Sequence, residues 1–103
     1  MVILSVMYPA TQGATFDWDY YTGTHIPLAQ DAFGATGLTG AQVLKPAPTP
    51  DGSTPPYLCI ANLSFTSPDA LQASIAGPHA AKVFADIANF TSVSPVTQVS
   101  LPL

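Results

Sequence analysis

Apolar positions along this chain recur with a period that switches between two and about 3.6, and the switches divide it into elements. Val2, Ile3, Leu4, Val6 and Met7 put apolar groups on both sides of a period-two run from Met1 to Tyr8, which predicts a strand. Pro9 to Ala14 is a loop by its Pro, Thr, Gln and Gly content. From Asp17 the period lengthens: Trp18, Tyr21, His25, Leu28 and Ala32 follow at spacings of three and four, one stripe of a helix. Asp17 is placed to accept hydrogen bonds from the first free amides, and Asp19 suits the positive end of the helix dipole. Phe16 before the cap and Tyr21 inside the helix are spaced for a hydrophobic staple. Pro27 predicts a kink or short break just after His25, because its ring clashes with the preceding turn and it lacks an amide proton. Gly34 and Gly37 end the segment.

Leu38 to Lys45 is a second strand. Pro46 to Pro56 holds five of the eleven prolines and predicts a surface loop. Tyr57 to Phe65 is the clearest strand: Tyr57, Cys59, Ala61, Leu63 and Phe65 share one face, while Leu58 and Ile60 make the other apolar too. Ser67-Pro68-Asp69 starts a helix, with Leu71 and Ile75 on its buried side. Gly77-Pro78 breaks it, and Ala80, Val83, Phe84 and Ile87 continue at helical spacing. Asn89 onward returns to extended chain, with a last strand over Val96 to Leu101. The order strand, helix, strand, strand, helix, strand predicts an α+β, ferredoxin-like βαββαβ fold with an antiparallel four-stranded sheet. Helices cover one face of such a sheet. Strands apolar on both faces then require a second copy to cover the other, which predicts a homodimer closed as a dimeric α+β barrel, with a cavity between sheet and helix or between sheets.

Composition reinforces this and excludes several functions. At 103 residues the chain makes one domain, residues 1–103. It is 48% hydrophobic and 8% charged, with two Lys, six Asp, no Arg and no Glu. A formal net charge of −4 excludes a nucleic-acid backbone binder and disfavours an anionic membrane surface. No apolar run reaches the roughly 18 residues of a membrane span. The single Cys59 cannot form an internal disulfide and points to a reducing, cytoplasmic setting, with no signal peptide ahead of the first strand. So few charges cannot cover the surface of a small domain, a second reason to expect an oligomer.

The one crowded group of candidate chemistry runs from Phe16 to Leu28. His25 is the side chain suited to proton transfer near neutral pH, and Tyr21 lies four residues before it on the same helix face. Together they are placed to polarise a carbonyl or move a proton on a small apolar molecule; the plainer alternative is a core histidine bonded to a backbone carbonyl. Asp17 and Asp19 read as helix-start residues. His79 reads as a hinge or solvated residue, since two His without Cys or paired acids are a thin set for a metal or haem. Cys59 reads as a buried inert thiol.

The run Phe16-Asp17-Trp18-Asp19-Tyr20-Tyr21-Thr22-Gly23-Thr24-His25-Ile26-Pro27-Leu28 resembles the signature of the EthD family, named for ethyl tert-butyl ether degradation. A second stretch, Ala85-Asp86-Ile87-Ala88-Asn89-Phe90-Thr91 continuing through Pro95 and Gln98, resembles that family's C-terminal segment, and the opening Met1 to Pro9 run also fits. The resemblance implies the dimeric α+β barrel and a small protein working beside oxidative degradation enzymes. In the wider superfamily it implies cofactor-free lyases, isomerases or monooxygenases. It implies a functional His25 with Tyr21 and Tyr20 beside it, while Asp86 and Asn89 are expected to fix the helix-to-strand turn. The reading is then a small enzyme for a hydrophobic carbonyl or aromatic compound, needing no cofactor. His25 and Tyr21 are its catalytic pair, and Trp18, Tyr20, Phe84 and Phe90 contact the ligand. The alternative is a non-catalytic binding or accessory protein supporting an oxygenase. The absence of Arg argues against an anionic substrate.

Overall fold

The computed structural model describes residues 1–103. In chain order the elements are β1 (Val2–Pro9), a single turn α1 (Trp18–Tyr20), a π-helical turn (Tyr21–His25), α2 (Ile26–Gly34), β2 (Leu38–Leu44), β3 (Tyr57–Phe65), α3 (Pro68–Ala76), α4 (Ala80–Asp86), a 3-10 turn (Ile87–Asn89) and β4 (Val96–Ser100). The four strands form one sheet in the order β2-β3-β1-β4, every neighbouring pair antiparallel. This is the ferredoxin-like α+β fold that the strand and helix order predicts.

Alternation decides which side chains meet the helices. Val2 and Leu4 of β1 and Leu63 and Phe65 of β3 pack on Ala29 and Phe33 of α2, Leu71 of α3, and Ala80 and Val83 of α4. A second, aromatic cluster gathers Tyr8, Tyr21, Cys59 and Phe90, with Phe16, Trp18 and Tyr20 against it. Burying each such large side chain stabilises the fold by about 1.5–3 kcal/mol.

The opposite sheet face departs from the two-sided apolar pattern expected above. Gln42, Asn62, Ser5 and Gln98 stand in register across all four strands, and Ser5 Oγ donates to Asn62 Oδ1 at 2.7 Å. One row along, Leu44, Ile60, Met7 and Val96 are in register and apolar. The uncovered face is therefore striped, because β2 and β4 bring their glutamines to the same level as Ser5 and Asn62. Only the pairing register reveals this.

The first helical segment also differs from a regular helix. Asp17 caps it, its carboxylate accepting from the Tyr20 amide at 3.1 Å, and Phe16 meets Tyr21 at 4.9 Å between ring centroids, the staple that the spacing predicts. The helix then widens: the Ile26 amide bonds the Tyr21 carbonyl five residues back. Pro27 is the cause, since it has no amide proton for the Gly23 carbonyl and its ring crowds that turn. The extra residue in the turn moves the buried stripe by one position. After Tyr21 and His25 the fully buried residues are Ala29 and Phe33, while the expected Leu28 and Ala32 are only partly buried. At the far end Asn89 does not begin extended chain but closes the 3-10 turn. The chain that follows is clamped to the start of the first helix: Phe16 bridges Thr91, the Asp17 amide donates to the Phe90 carbonyl at 2.7 Å, and Thr91 Oγ1 donates to the Thr15 carbonyl at 2.8 Å.

Gly37 joins α2 to β2 with φ +113°, and a Cβ there would lie 2.5 Å from the Ala70 Cβ. Gly37→Ala is expected to lower stability by about 1–3 kcal/mol through strain and overlap. Gly34→Ala, with nothing within 4 Å of its Cβ position, is expected to stay within about 1 kcal/mol of the parent. Urea denaturation of the three proteins checks both.

Candidate functional site

Where the two packed clusters meet between sheet and helices lies a cavity of about 40 Å³. Fifteen residues line it, and His25 is the one that is not hydrophobic. The π turn brings His25 there: by delaying α2 one residue it leaves Tyr21 and His25 stacked, their ring centroids 5.5 Å apart and planes 18° from parallel. Phe90, clamped by the Phe16–Thr91 bridge, packs against both rings, 4.5 Å from the imidazole and 4.9 Å from Tyr21 between centroids.

His25 does not bond a backbone carbonyl, the plainer alternative for a core histidine. Its Nδ1 lies 2.9 Å from Asp86 Oδ2, with both side chains almost fully buried. The other carboxylate oxygen, Oδ1, accepts from the Tyr20 hydroxyl at 2.5 Å and from Asn89 Nδ2 at 3.0 Å. Burial pushes the Asp86 pKa up, but the hydrogen bonds from Tyr20, Asn89 and His25 outweigh it and hold the carboxyl below its ordinary value. An ionised carboxylate only accepts, so neutral His25 must carry its proton on Nδ1 and leave the Nε2 lone pair free. Nε2 has no protein partner, and no fully buried side-chain nitrogen or oxygen is left unpartnered. Nε2 is therefore not sealed in the protein, and His25 is one of the residues that line the cavity.

Two phenols border the same cavity. Tyr8 and Tyr21 are each 1% exposed. Burial drives both pKa values far above the ordinary phenol value, with neighbouring Cys59 adding to each. Both are hydrogen-bond donors at neutral pH. Burial pushes the Cys59 thiol up to about 11, so it stays a thiol and inert.

The remaining candidates separate. Phe84 lines the cavity; Trp18, Tyr20 and Phe90 do not. Trp18 instead packs on Phe16 at 4.7 Å and carries the Lys45 ammonium 5.4 Å from its ring centroid. Tyr20 points its hydroxyl at Asp86 rather than at the cavity, and that bond raises its own pKa. His79 lies at a surface groove with Asp31 and Lys82, and no three His, Cys or Asp side chains converge as metal ligands. Asp86 was expected to fix the turn after α4. It does end α4, but its carboxylate goes to His25. The two are 61 positions apart, and only the resemblance of the segment from Ala85 to Thr91 to the EthD pattern marked it. No helix is long and apolar enough to cross a membrane.

The lowered pKa fixes a sign. As pH falls, the unfolded chain takes up the Asp86 proton first, near the ordinary Asp value of about 3.9. The stabilisation from Asp86 is therefore complete above about pH 5 and disappears as pH drops through the folded-state value. The stability difference between the parent and Asp86→Asn, from urea midpoints, is expected to shrink steadily from about pH 5 to pH 2. A difference that stays constant would show that the carboxylate is not held by these donors.

Comparison with known proteins agrees with this architecture. The EthD domain family matches residues 11–94. An EthD-like protein from Ralstonia eutropha JMP134 is 32% identical, with 96% of this chain and 88% of that chain covered and a TM-score of 0.86. An EthD family protein from Bacillus halodurans C-125 is 18% identical over 100% of this chain and 99% of that one, TM-score 0.79. SnoaB, a cofactor-independent oxygenase from Streptomyces nogalater, shares the fold at 12% identity, covering 98% of this chain and 91% of its own, TM-score 0.69. No curated protein matches.

Proposed function

The chain belongs to the EthD domain family, and on that footing we propose that it acts by cofactor-independent acid/base chemistry on a small apolar carbonyl or aromatic compound in the cavity beside His25. The observation that carries this reading is the buried Asp86–His25 pair: Nε2 has no protein partner, and His25 lines an otherwise hydrophobic cavity. In it, Nε2 takes a proton from the carbon next to a ligand carbonyl, or from a phenol hydroxyl. The electron pair left behind goes onto the ligand oxygen. Asp86 stabilises the imidazolium that forms, as a carboxylate does behind any histidine base. Tyr21, kept protonated by burial, donates to that oxygen, with Tyr8 as a second donor in the same wall. Return of the proton to another atom makes the step an isomerisation; departure of a neighbouring group makes it a lyase reaction. A site whose wall holds no Lys or Arg suits neutral ligands. One buried, unpaired cysteine fits a cytoplasmic setting.

Exchange of α-protons for deuterium tests the base without knowledge of the natural substrate. With cyclohexanone in D₂O followed by NMR, the parent protein is expected to accelerate exchange. His25→Ala should slow it by about 10² or more, with urea denaturation checking that the variant, though less stable, remains folded under the assay conditions. Exchange that His25→Ala leaves intact sinks the proposed role. Saturable binding without exchange would favour the accessory, ligand-carrying alternative.

We further propose that a second copy of the chain covers the open sheet face. The apolar row Leu44, Ile60, Met7 and Val96 offers the contact, with Leu44 and Val96 40% and 49% exposed. The polar row beside it, Gln42, Asn62, Ser5 and Gln98, sets the register, since an offset pairing would bury amides against apolar groups. Light scattering after gel filtration is expected to give about 21 kDa, twice the 10.7 kDa chain. Ile60→Asp should return the monomer. A monomeric parent protein rejects the dimer.

A further inference from the structure

We propose that Phe84 is the size gate of the His25 cavity, the residue that decides how large a ligand it admits. The inference rests on the ligand site proposed above and deepens it. A volume of about 40 Å³ holds on the order of three waters, whereas an apolar cavity that takes one benzene runs to about 150 Å³. A ligand with even one ring must therefore displace part of the wall. Of the fifteen lining residues, fourteen are buried or partly buried; Phe84 alone is exposed, at 48%.

Displacing Tyr21 or Phe33 would break a close-packed core, at a cost of several kcal/mol. Swinging out a half-exposed ring costs little beyond a rotamer change. There is also somewhere for the ligand to go. Phe84 and Ile87 line the inner cavity and also an outer groove that runs on through Thr91 to Pro95. The two side chains are thus the partition between cavity and groove. With Phe84 turned aside, the spaces join, and a flat aromatic ligand can hold its polar edge at Nε2 and its body toward the groove. Phe84 lies on the helix layer, so a dimer formed through the open sheet face leaves it free. The same helix, α4, ends in Asp86, so one short element both limits the ligand and orients the imidazole that meets it.

Calorimetric titration with phenol and with 2-naphthol, one ring and two, tests the gate. The parent is expected to bind phenol more tightly than 2-naphthol. Phe84→Ala should shift that ratio toward 2-naphthol by about tenfold or more, and Phe84→Trp should weaken both ligands. His25→Gln serves as the reference for the site and should weaken phenol in every background. If phenol binding depends on His25 but the ratio ignores Phe84, the gate is wrong and the site stands. If neither ligand responds to His25→Gln, the site itself is wrong, and the gate with it.

Discussion

A carboxylate taken out of water must be given donors, and the requirement to satisfy Asp86 ties this molecule together. Leaving it bare would cost about 1–3 kcal/mol or more. Three donors reach it: His25 from the π turn, Tyr20 from the turn before, and Asn89 from the 3-10 turn after α4. They come together only if the end of α4 lies against the start of the first helical segment. The Phe16–Thr91 bridge and the Asp17 amide to Phe90 carbonyl bond enforce that approach through the backbone. The same contact seats Phe90 on the imidazole. Orientation of the candidate base and closure of the fold are thus one set of interactions.

The π turn is the second constraint. Without its extra residue, the α-helical stripe would carry Leu28 and Ala32 inward, and His25 would sit at a different angle to the sheet. Pro27 supplies the reason for the widening, and the widened turn is where the candidate histidine is found, as π bulges often lie at functional sites. Tyr21 gains from it directly: its ring stacks on His25 instead of lying offset along the helix. A polar group in an apolar wall is held by geometry on three sides, with one nitrogen left over.

The two faces of the sheet divide the remaining work. The face toward the helices is apolar and contains the cavity. The open face is striped, with Ser5 and Asn62 bonded at its centre. A striped face is a weaker aggregation hazard than a uniformly apolar one and a more selective partner surface, because polar groups penalise misaligned pairing. The low charge of the chain makes such a device useful, since few ions remain to keep copies apart.

Much of this was legible in the residues. Period-two and helical runs place every strand of the sheet and both helical segments that cover it. Asp17, Phe16 and Ser67 mark where helices begin, and Pro27 marks the irregularity. His25 stood out as a base on a buried stripe with Tyr21 four residues away. These are local facts, and short-range sterics and hydrogen bonds decide them. What the residues alone left open is whatever depends on partners distant in the chain. Asp86 looked like a turn residue because its partner lies 61 positions away. Tyr20 looked like a ligand contact because nothing nearby in sequence shows where its hydroxyl points. The polar row across the sheet exists only in the pairing register, and the small cavity with Phe84 at its rim only in the packing of three layers of side chains. Local chemistry chose the elements; tertiary contact, which brings Asp86 to one imidazole nitrogen and sets His25 in the wall of a hydrophobic cavity, decided how they meet.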